Sequence, residues 1–105
     1  MIDISTIKQR QIIKGYKAKF VHTDCVTLAF WEVEKGALLP SHAHLHEQTT
    51  QVLNGKYELT VNGKTEICEK GSVVIIPSNV MHGGIALTDC TLLDIFCPIR
   101  DDYKF

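Results

Sequence analysis

Gly36-Ala37-Leu38-Leu39-Pro40-Ser41-His42-Ala43-His44-Leu45-His46-Glu47-Gln48-Thr49-Thr50-Gln51-Val52-Leu53-Asn54-Gly55 packs three of the chain's five histidines into five residues. On an extended backbone alternate side chains share a face, so His42 and His44 are expected to point the same way. Two imidazoles on one face, with another nitrogen or oxygen donor nearby, suit a divalent first-row metal. Gln48 offers a neutral carbonyl oxygen, and His82 is the best remaining donor elsewhere in the chain. A His-x-His-x-His run also suits a solvated polar edge that meets metal only by accident.

A second block bears on that choice. Gly71-Ser72-Val73-Val74-Ile75-Ile76-Pro77-Ser78-Asn79-Val80-Met81-His82 is a glycine turn, an apolar run, a proline turn and a histidine. Together the two blocks resemble the paired motifs of the cupin family. Gly36, His42, His44, Gln48 and Gly55 match the first motif. Gly71, Pro77 and His82 match the second. Three positions depart from the pattern: Gln48 stands for a glutamate, Asn79 for a glycine and Ala86 for an asparagine. Asparagine tolerates the left-handed backbone of a turn glycine. Glutamine is a chemical change. A divalent ion among three neutral histidines and a glutamine keeps its full charge, which favours Lewis-acid work on an anion over redox chemistry. The resemblance implies His42, His44, Gln48 and His82 as ligands of zinc, nickel, iron or manganese.

At 105 residues the chain is expected to form one domain, with a core over about 26–98, an N-terminal arm 1–24 and a C-terminal tail 99–105. A net charge of −1 and no basic run exclude a nucleic-acid partner. No apolar run is long enough to span a bilayer, and Met1-Ile2-Asp3 does not open a signal peptide, so the expected compartment is the cytoplasm. Cys25, Cys68, Cys90 and Cys97 form no Cys-x-x-Cys pair and read as reduced, mostly buried side chains.

Strand signals fill the rest. Met1 to Gln11 is weakly patterned, and Lys17 to His22 alternates, with His22 read as a surface residue. Val26 to Glu34 is rich in β-branched and aromatic residues, and both its faces read as buried, which hints at a homodimer. Asn54-Gly55 and Asn62-Gly63 are hairpin signals, so Thr50–Leu53, Tyr57–Val61 and Thr65–Glu69 are expected to form a meander. Val73–Ile76 and Thr91–Cys97 complete the set. With no long amphipathic helix, the pattern predicts an all-β barrel or double-sheet jelly roll, which the resemblance sharpens to a small cupin jelly roll.

Leu92-Leu93-Asp94-Ile95-Phe96-Cys97-Pro98-Ile99-Arg100 places an aspartate in an apolar strand, where an unpaired carboxylate is costly. It reads either as a structural ion pair or as a carboxylate facing a site and tuned for proton transfer. Arg100, beyond the Pro98 turn, could grip a substrate carboxylate as a bidentate fork. Here the resemblance narrows to the small cupins of pectin and alginate breakdown, which linearise 4,5-unsaturated monouronates to the 4-deoxy-5-keto form. It implies a small sugar acid as partner, Asp94 and Arg100 as catalytic residues, and Arg100, Phe96 and Gln51 around the substrate. Gln51 has the opposite parity to Gln48 and fits only if a bulge intervenes. His46 shares parity with His42 and His44, and rim or supporting contacts suit it. A dioxygenase, an isomerase or a non-catalytic sugar-binding module are the alternatives.

Overall fold

The computed structural model describes residues 1–105 and contains ten strands. They are β1 (Arg10–Ile13), β2 (Tyr16–His22), β3 (Thr27–Val33), β4 (Leu38–His42), β5 (Glu47–Asn54), β6 (Tyr57–Val61), β7 (Lys64–Cys68), β8 (Val73–Ile76), β9 (His82–Ala86) and β10 (Cys90–Cys97). Single 3₁₀ turns stand at Ile4–Thr6 and Asp101–Tyr103. The strands form two antiparallel sheets, ordered β1-β2-β3-β10-β5-β8 and β4-β9-β6-β7. This is the double-sheet jelly roll expected from the punctuation of the sequence. No helix is long and apolar enough to cross a membrane.

The pleat decides what goes inside. Along β3, Thr27, Ala29, Trp31 and Val33 are buried. Along β10, Cys90, Leu92, Asp94 and Phe96 are buried. The residues between them lie on the outer face. The expectation that both faces of β3 are buried is therefore corrected: Leu28 and Phe30 are only half-buried, and Glu32 is exposed. Inner residues from both sheets form one core, with Val52, Tyr57, Leu59 and Ile76 opposite the β3 and β10 set. Cys68 and Cys90 are buried, whereas Cys25 and Cys97 are exposed, and all four are free thiols.

Residues 10–22, set outside the core in the sequence reading, supply β1 and β2 of the larger sheet. A register shift between Gln11 and Ile13 breaks the alternation that would have marked β1. His22 is not a free surface residue. Its Nδ1 lies 2.8 Å from Thr27 Oγ1 and its Nε2 3.1 Å from the Tyr103 carbonyl, so it ties β2 to the tail.

The expected meander does not form. β6 and β7 are a hairpin, and its Asn62-Gly63 turn has positive φ at both residues (50° and 78°), the pattern a two-residue hairpin requires. At Asn54-Gly55 only the glycine has positive φ, at 88°. That turn carries the chain from β5 in one sheet to β6 in the other. Gly55 packs so closely there that a Cβ would sit 2.3 Å from the Asp89 carbonyl oxygen. Gly36 has a similar φ of 82° but open space around it.

The two glycines give a matched prediction. Gly36→Ala should lose about 1 kcal/mol, the backbone strain alone. Gly55→Ala should lose roughly 1–3 kcal/mol more, because the Thr88–Cys90 turn must move. Urea midpoints of the two variants measure the difference, and equal losses would remove the steric role given to Gly55.

Candidate metal and acid–base site

The two sheets enclose a cavity of about 340 Å³ whose wall includes His42, His44, Gln48, His82, Asp94, Phe96 and Arg100. Seven of the eight candidate site residues therefore reach one space. The eighth, Gln51, does not line it. It lies between buried Thr50 and buried Val52 on β5, and the pleat turns it to the outer face. No bulge restores its parity.

His42 closes β4 and faces His82 of β9 across an antiparallel pair. His44 lies just beyond the strand, in the loop to β5. The turn of the second motif holds that loop, because the Asn79 backbone N–H donates to the His44 carbonyl at 2.8 Å. Asn79 has φ 63°, the left-handed backbone expected where the motif usually has glycine. Candidate ligand atoms of His42, His44 and His82 all lie within 4.8 Å of one another.

Hydrogen bonds fix which nitrogen each ring offers. The Nδ1 atoms of His42, His44 and His82 each lie 2.9 Å from a backbone carbonyl, those of Pro40, His46 and Val80. A carbonyl only accepts, so each Nδ1 carries the proton and each Nε2 is left with its lone pair. Burial lowers the pKa of His44 and of His82, which keeps these rings neutral. The His82 Nε2 is buried and has no partner.

Gln48 is oriented by a relay. Its Nε2 donates to Thr50 Oγ1 at 2.9 Å, and that hydroxyl donates to Asp94 Oδ1 at 2.6 Å. The amide oxygen is thereby turned to His44 Nε2, 3.1 Å away. Two lone pairs then face each other at that distance, an arrangement that a cation between them would relieve. The donor chemistry fits a divalent ion.

Asp94 lies one inward position along β10 from Phe96, with Thr50 on β5 and Ala29 on β3 as its cross-strand partners. Burial pushes its pKa up to about 6, against the opposing pull of the Thr50 hydrogen bond, of the nearby Gln48 amide and Trp31 indole N–H, and of the Arg100 charge. A carboxyl so placed is suited to exchange protons near neutrality. It makes no ion pair, so the structural pairing considered for it is absent. The Trp31 indole N–H, on the same wall, finds no partner in hydrogen-bonding geometry.

Arg100 is 9% exposed, and Asp102 occupies one edge of its guanidinium, with Nε 2.9 Å and Nη2 2.7 Å from the two carboxylate oxygens. Burial works against its charge, and the Asp102 fork overrides that. The guanidinium carbon stands 4.7 Å from the Phe96 ring centre and 4.1 Å from that of Tyr103. Nη1 makes no hydrogen bond within the chain, which leaves a donor edge for a ligand. At the far end, Tyr57 and Tyr16 join hydroxyl to hydroxyl at 2.7 Å, and burial pushes the Tyr16 pKa up to about 12. Neither phenol ionises near neutrality. His46 does not line the cavity. Its Nε2 lies 3.2 Å from the Ile99 carbonyl, which braces the turn leading to Arg100.

Sequence reasoning missed Thr50, Asp102, Tyr103 and the tyrosine pair. Thr50 was within reach, since it shares parity with Gln48. Asp102 and Tyr103 carry no pattern, because a 3₁₀ turn places them.

Comparison with known proteins agrees with this geometry. The pectin degradation protein KdgF of Dickeya dadantii (strain 3937) is 30% identical over 92 residues, covering 85% of this chain and 84% of that protein. The structure of KdgF from Halomonas sp. superimposes with a TM-score of 0.88 at 28% identity, covering 92% of this chain and 91% of that one. An RmlC-like cupin from Shewanella frigidimarina gives a TM-score of 0.91 at 27% identity, covering 95% and 91%. The cupin domain matches residues 29–96, a span that runs from β3 to the inward Phe96 of β10 and takes in all three converging histidines, and the chain belongs to that family.

Proposed function

We propose that this chain is a metal-dependent enzyme that opens the ring of 4,5-unsaturated monouronates, giving linear 4-deoxy-5-keto uronates in the breakdown of pectin or alginate. The observation that carries the reading is one cavity that joins three converging imidazoles and the Gln48 amide, a buried carboxyl with a raised pKa and an arginine with a free edge. Similarity over most of the chain to a pectin degradation protein supports the substrate class.

His42, His44, His82 and Gln48 would hold the divalent ion. When bound, it supplies Lewis-acid polarisation of a substrate oxygen. Arg100 takes the uronate carboxylate on its Nη1 edge while Asp102 holds the opposite edge. Phe96 and Tyr103 keep the guanidinium plane fixed between two rings. Asp94 then delivers a proton to the enol-ether carbon. The bond between the anomeric carbon and the ring oxygen breaks as the anomeric hydroxyl gives its proton to the Asp94 carboxylate, so an aldehyde and a ketone form with no net change in oxidation state. Thr50 keeps the Asp94 carboxyl aimed into the cavity rather than toward the wall.

Two predictions test the parts separately. A divalent ion at about 100 times its Kd should stabilise the fold by about 2.7 kcal/mol, read as a raised thermal midpoint that a chelator reverses. His82→Ala should abolish that shift, and a wild-type midpoint indifferent to every divalent ion would remove the metal site. Asp94→Asn should lower kcat about 10²–10⁴-fold while metal content stays at the wild-type level. Loss of the enol-ether absorbance of 4,5-unsaturated galacturonate measures turnover. Full activity in that variant would unseat Asp94, and an inactive wild-type protein with metal bound would remove the uronate reading.

A further inference from the structure

Three buried side-chain polar atoms have no hydrogen-bond partner within the chain: His82 Nε2, His46 Nδ1 and Trp31 Nε1. The His82 nitrogen belongs to the metal site, and His46 lies outside the cavity wall. Trp31 lines the cavity, yet nothing in the reaction described above uses its indole N–H. A buried donor without an acceptor is costly, and the few that a folded chain retains call for an explanation. The ring cannot turn away. Trp31 is 6% exposed and meets Tyr16, Phe20 and Tyr103 edge to face, with ring centres 6.1, 5.9 and 6.3 Å away. Its N–H is held beside the Asp94 carboxyl but out of line for a bond to it.

Strand register orders what a ligand meets. In the pairing of β3 with β10, Phe96 lies opposite Thr27, Asp94 opposite Ala29 and Leu92 opposite Trp31. Arg100 belongs to the first of these rows. Its backbone N–H donates to Thr27 Oγ1 at 2.8 Å, and its guanidinium carbon stands 4.7 Å from the Phe96 ring centre. Asp94 is in the middle row, with the arginine on one side and the indole on the other. The unsaturated uronate has the same order. The carbon that takes the Asp94 proton is C4. Its neighbour C5 carries the carboxylate for Arg100, and its other neighbour C3 carries a hydroxyl. An indole N–H only donates, so it needs an acceptor. The carboxylate is already held, and the ring and anomeric oxygens lie beyond C5. The oxygen on C3 is the acceptor on the Trp31 side.

We propose that the Trp31 indole N–H binds the 3-hydroxyl oxygen of the substrate and so fixes C4 over Asp94, an assignment that rests on the uronate reading above. The choice of hydroxyl bears on substrate range. Once C4 and C5 have lost their configuration to the double bond, the uronates of pectin and alginate differ at C2 and agree at C3. A site that reads the 3-hydroxyl accepts both.

Steady-state turnover by the metal-loaded chain tests this with two sugars, 4,5-unsaturated galacturonate and its 3-deoxy analogue. The wild-type chain should lose roughly 5–150-fold in kcat/KM on the 3-deoxy sugar, the cost of leaving one buried donor unpaired. Trp31→Phe keeps a ring in the slot and removes the N–H. It should raise KM for the parent sugar, keep kcat, and treat the two sugars alike. Trp31 is the chain's one tryptophan, so its indole N–H gives a single cross-peak in a proton–nitrogen correlation spectrum. Galacturonate, which has no enol ether to react, should move that peak downfield in the zinc-loaded protein, and 3-deoxygalacturonate should not. This measurement on the wild-type chain decides the matter if Trp31→Phe fails to fold. Equal wild-type turnover of the two sugars, or a cross-peak that both uronates move alike, would overturn the assignment while the uronate reading stands. A fall in kcat at unchanged KM in Trp31→Phe would overturn it too, by placing the indole on Asp94 instead of on substrate. A metal-loaded wild-type chain that turns over neither sugar removes both readings.

Discussion

One hydrogen bond links the two halves of the candidate site. Thr50 Oγ1 donates to Asp94 at 2.6 Å and accepts from Gln48, so a single hydroxyl sets both the carboxyl and the amide. It can do so only because β5 and β10 pair with Thr50 opposite Asp94. A slip of one residue would turn Asp94 to the outer face and bring Leu93 or Ile95 inside. Strand β10 resists that slip because it is paired along both edges, to β3 and to β5. The apolar inward positions on either side of Asp94, Leu92 and Phe96, hold the same register through burial. The chemistry of the cavity thus depends on the register of a strand whose pattern is mostly hydrophobic.

That dependence explains what the sequence disclosed. A carboxylate in an apolar strand is visible because it breaks a pattern, and Asp94 proved to be inside. The histidines converge as expected, although for a different reason in one case. His44 has left the strand, and a backbone bond from Asn79 holds its loop in place. Parity alone assigns Gln51 to the outer face, and the fold keeps it there. The Asn54-Gly55 signal misled, since the same dipeptide marks a hairpin at Asn62 and a crossing between sheets at Asn54. Only the backbone angle of the asparagine tells them apart, and it is Gly55 that packs against the Thr88–Cys90 turn far along the chain. Strand β9 was hidden by Gly83 and Gly84, which strand propensity disfavours. Packing demands both, because a Cβ would fall 2.8 Å from the Leu39 carbonyl oxygen at Gly83 and 2.4 Å from the Tyr57 ring at Gly84.

The tail shows the same limit. Residues beyond Pro98 read as a charged end, yet they form one side of the cavity. Arg100 is anchored through its backbone N–H to Thr27 Oγ1 at 2.8 Å, and Tyr103 through its carbonyl to His22. The Thr27 hydroxyl also meets His22 Nδ1, so one threonine at the start of β3 joins both anchors. Nothing local in the sequence announces this, because the partners lie 73 residues apart.

Charge balance in the cavity argues for an anionic ligand independently of any relative. Asp102 already answers one edge of Arg100, and Asp94 is disposed by burial toward its neutral form. Desolvation lowers the pKa of His44 and of His82, against the opposing pull of their Nδ1 bonds to backbone carbonyls. A divalent ion held by such rings and by the Gln48 amide would bring two positive charges, against which the wall sets only the Asp94 carboxyl, partly protonated near neutrality by its pKa of about 6. In a space lined largely by apolar side chains that excess is poorly screened. A ligand carrying a carboxylate would restore the balance, and the unused Nη1 edge of Arg100 is shaped to receive one. The substitution of glutamine for glutamate at position 48 is thus more than a tolerated departure from the motif. It leaves to the ligand the negative charge that the protein would otherwise supply.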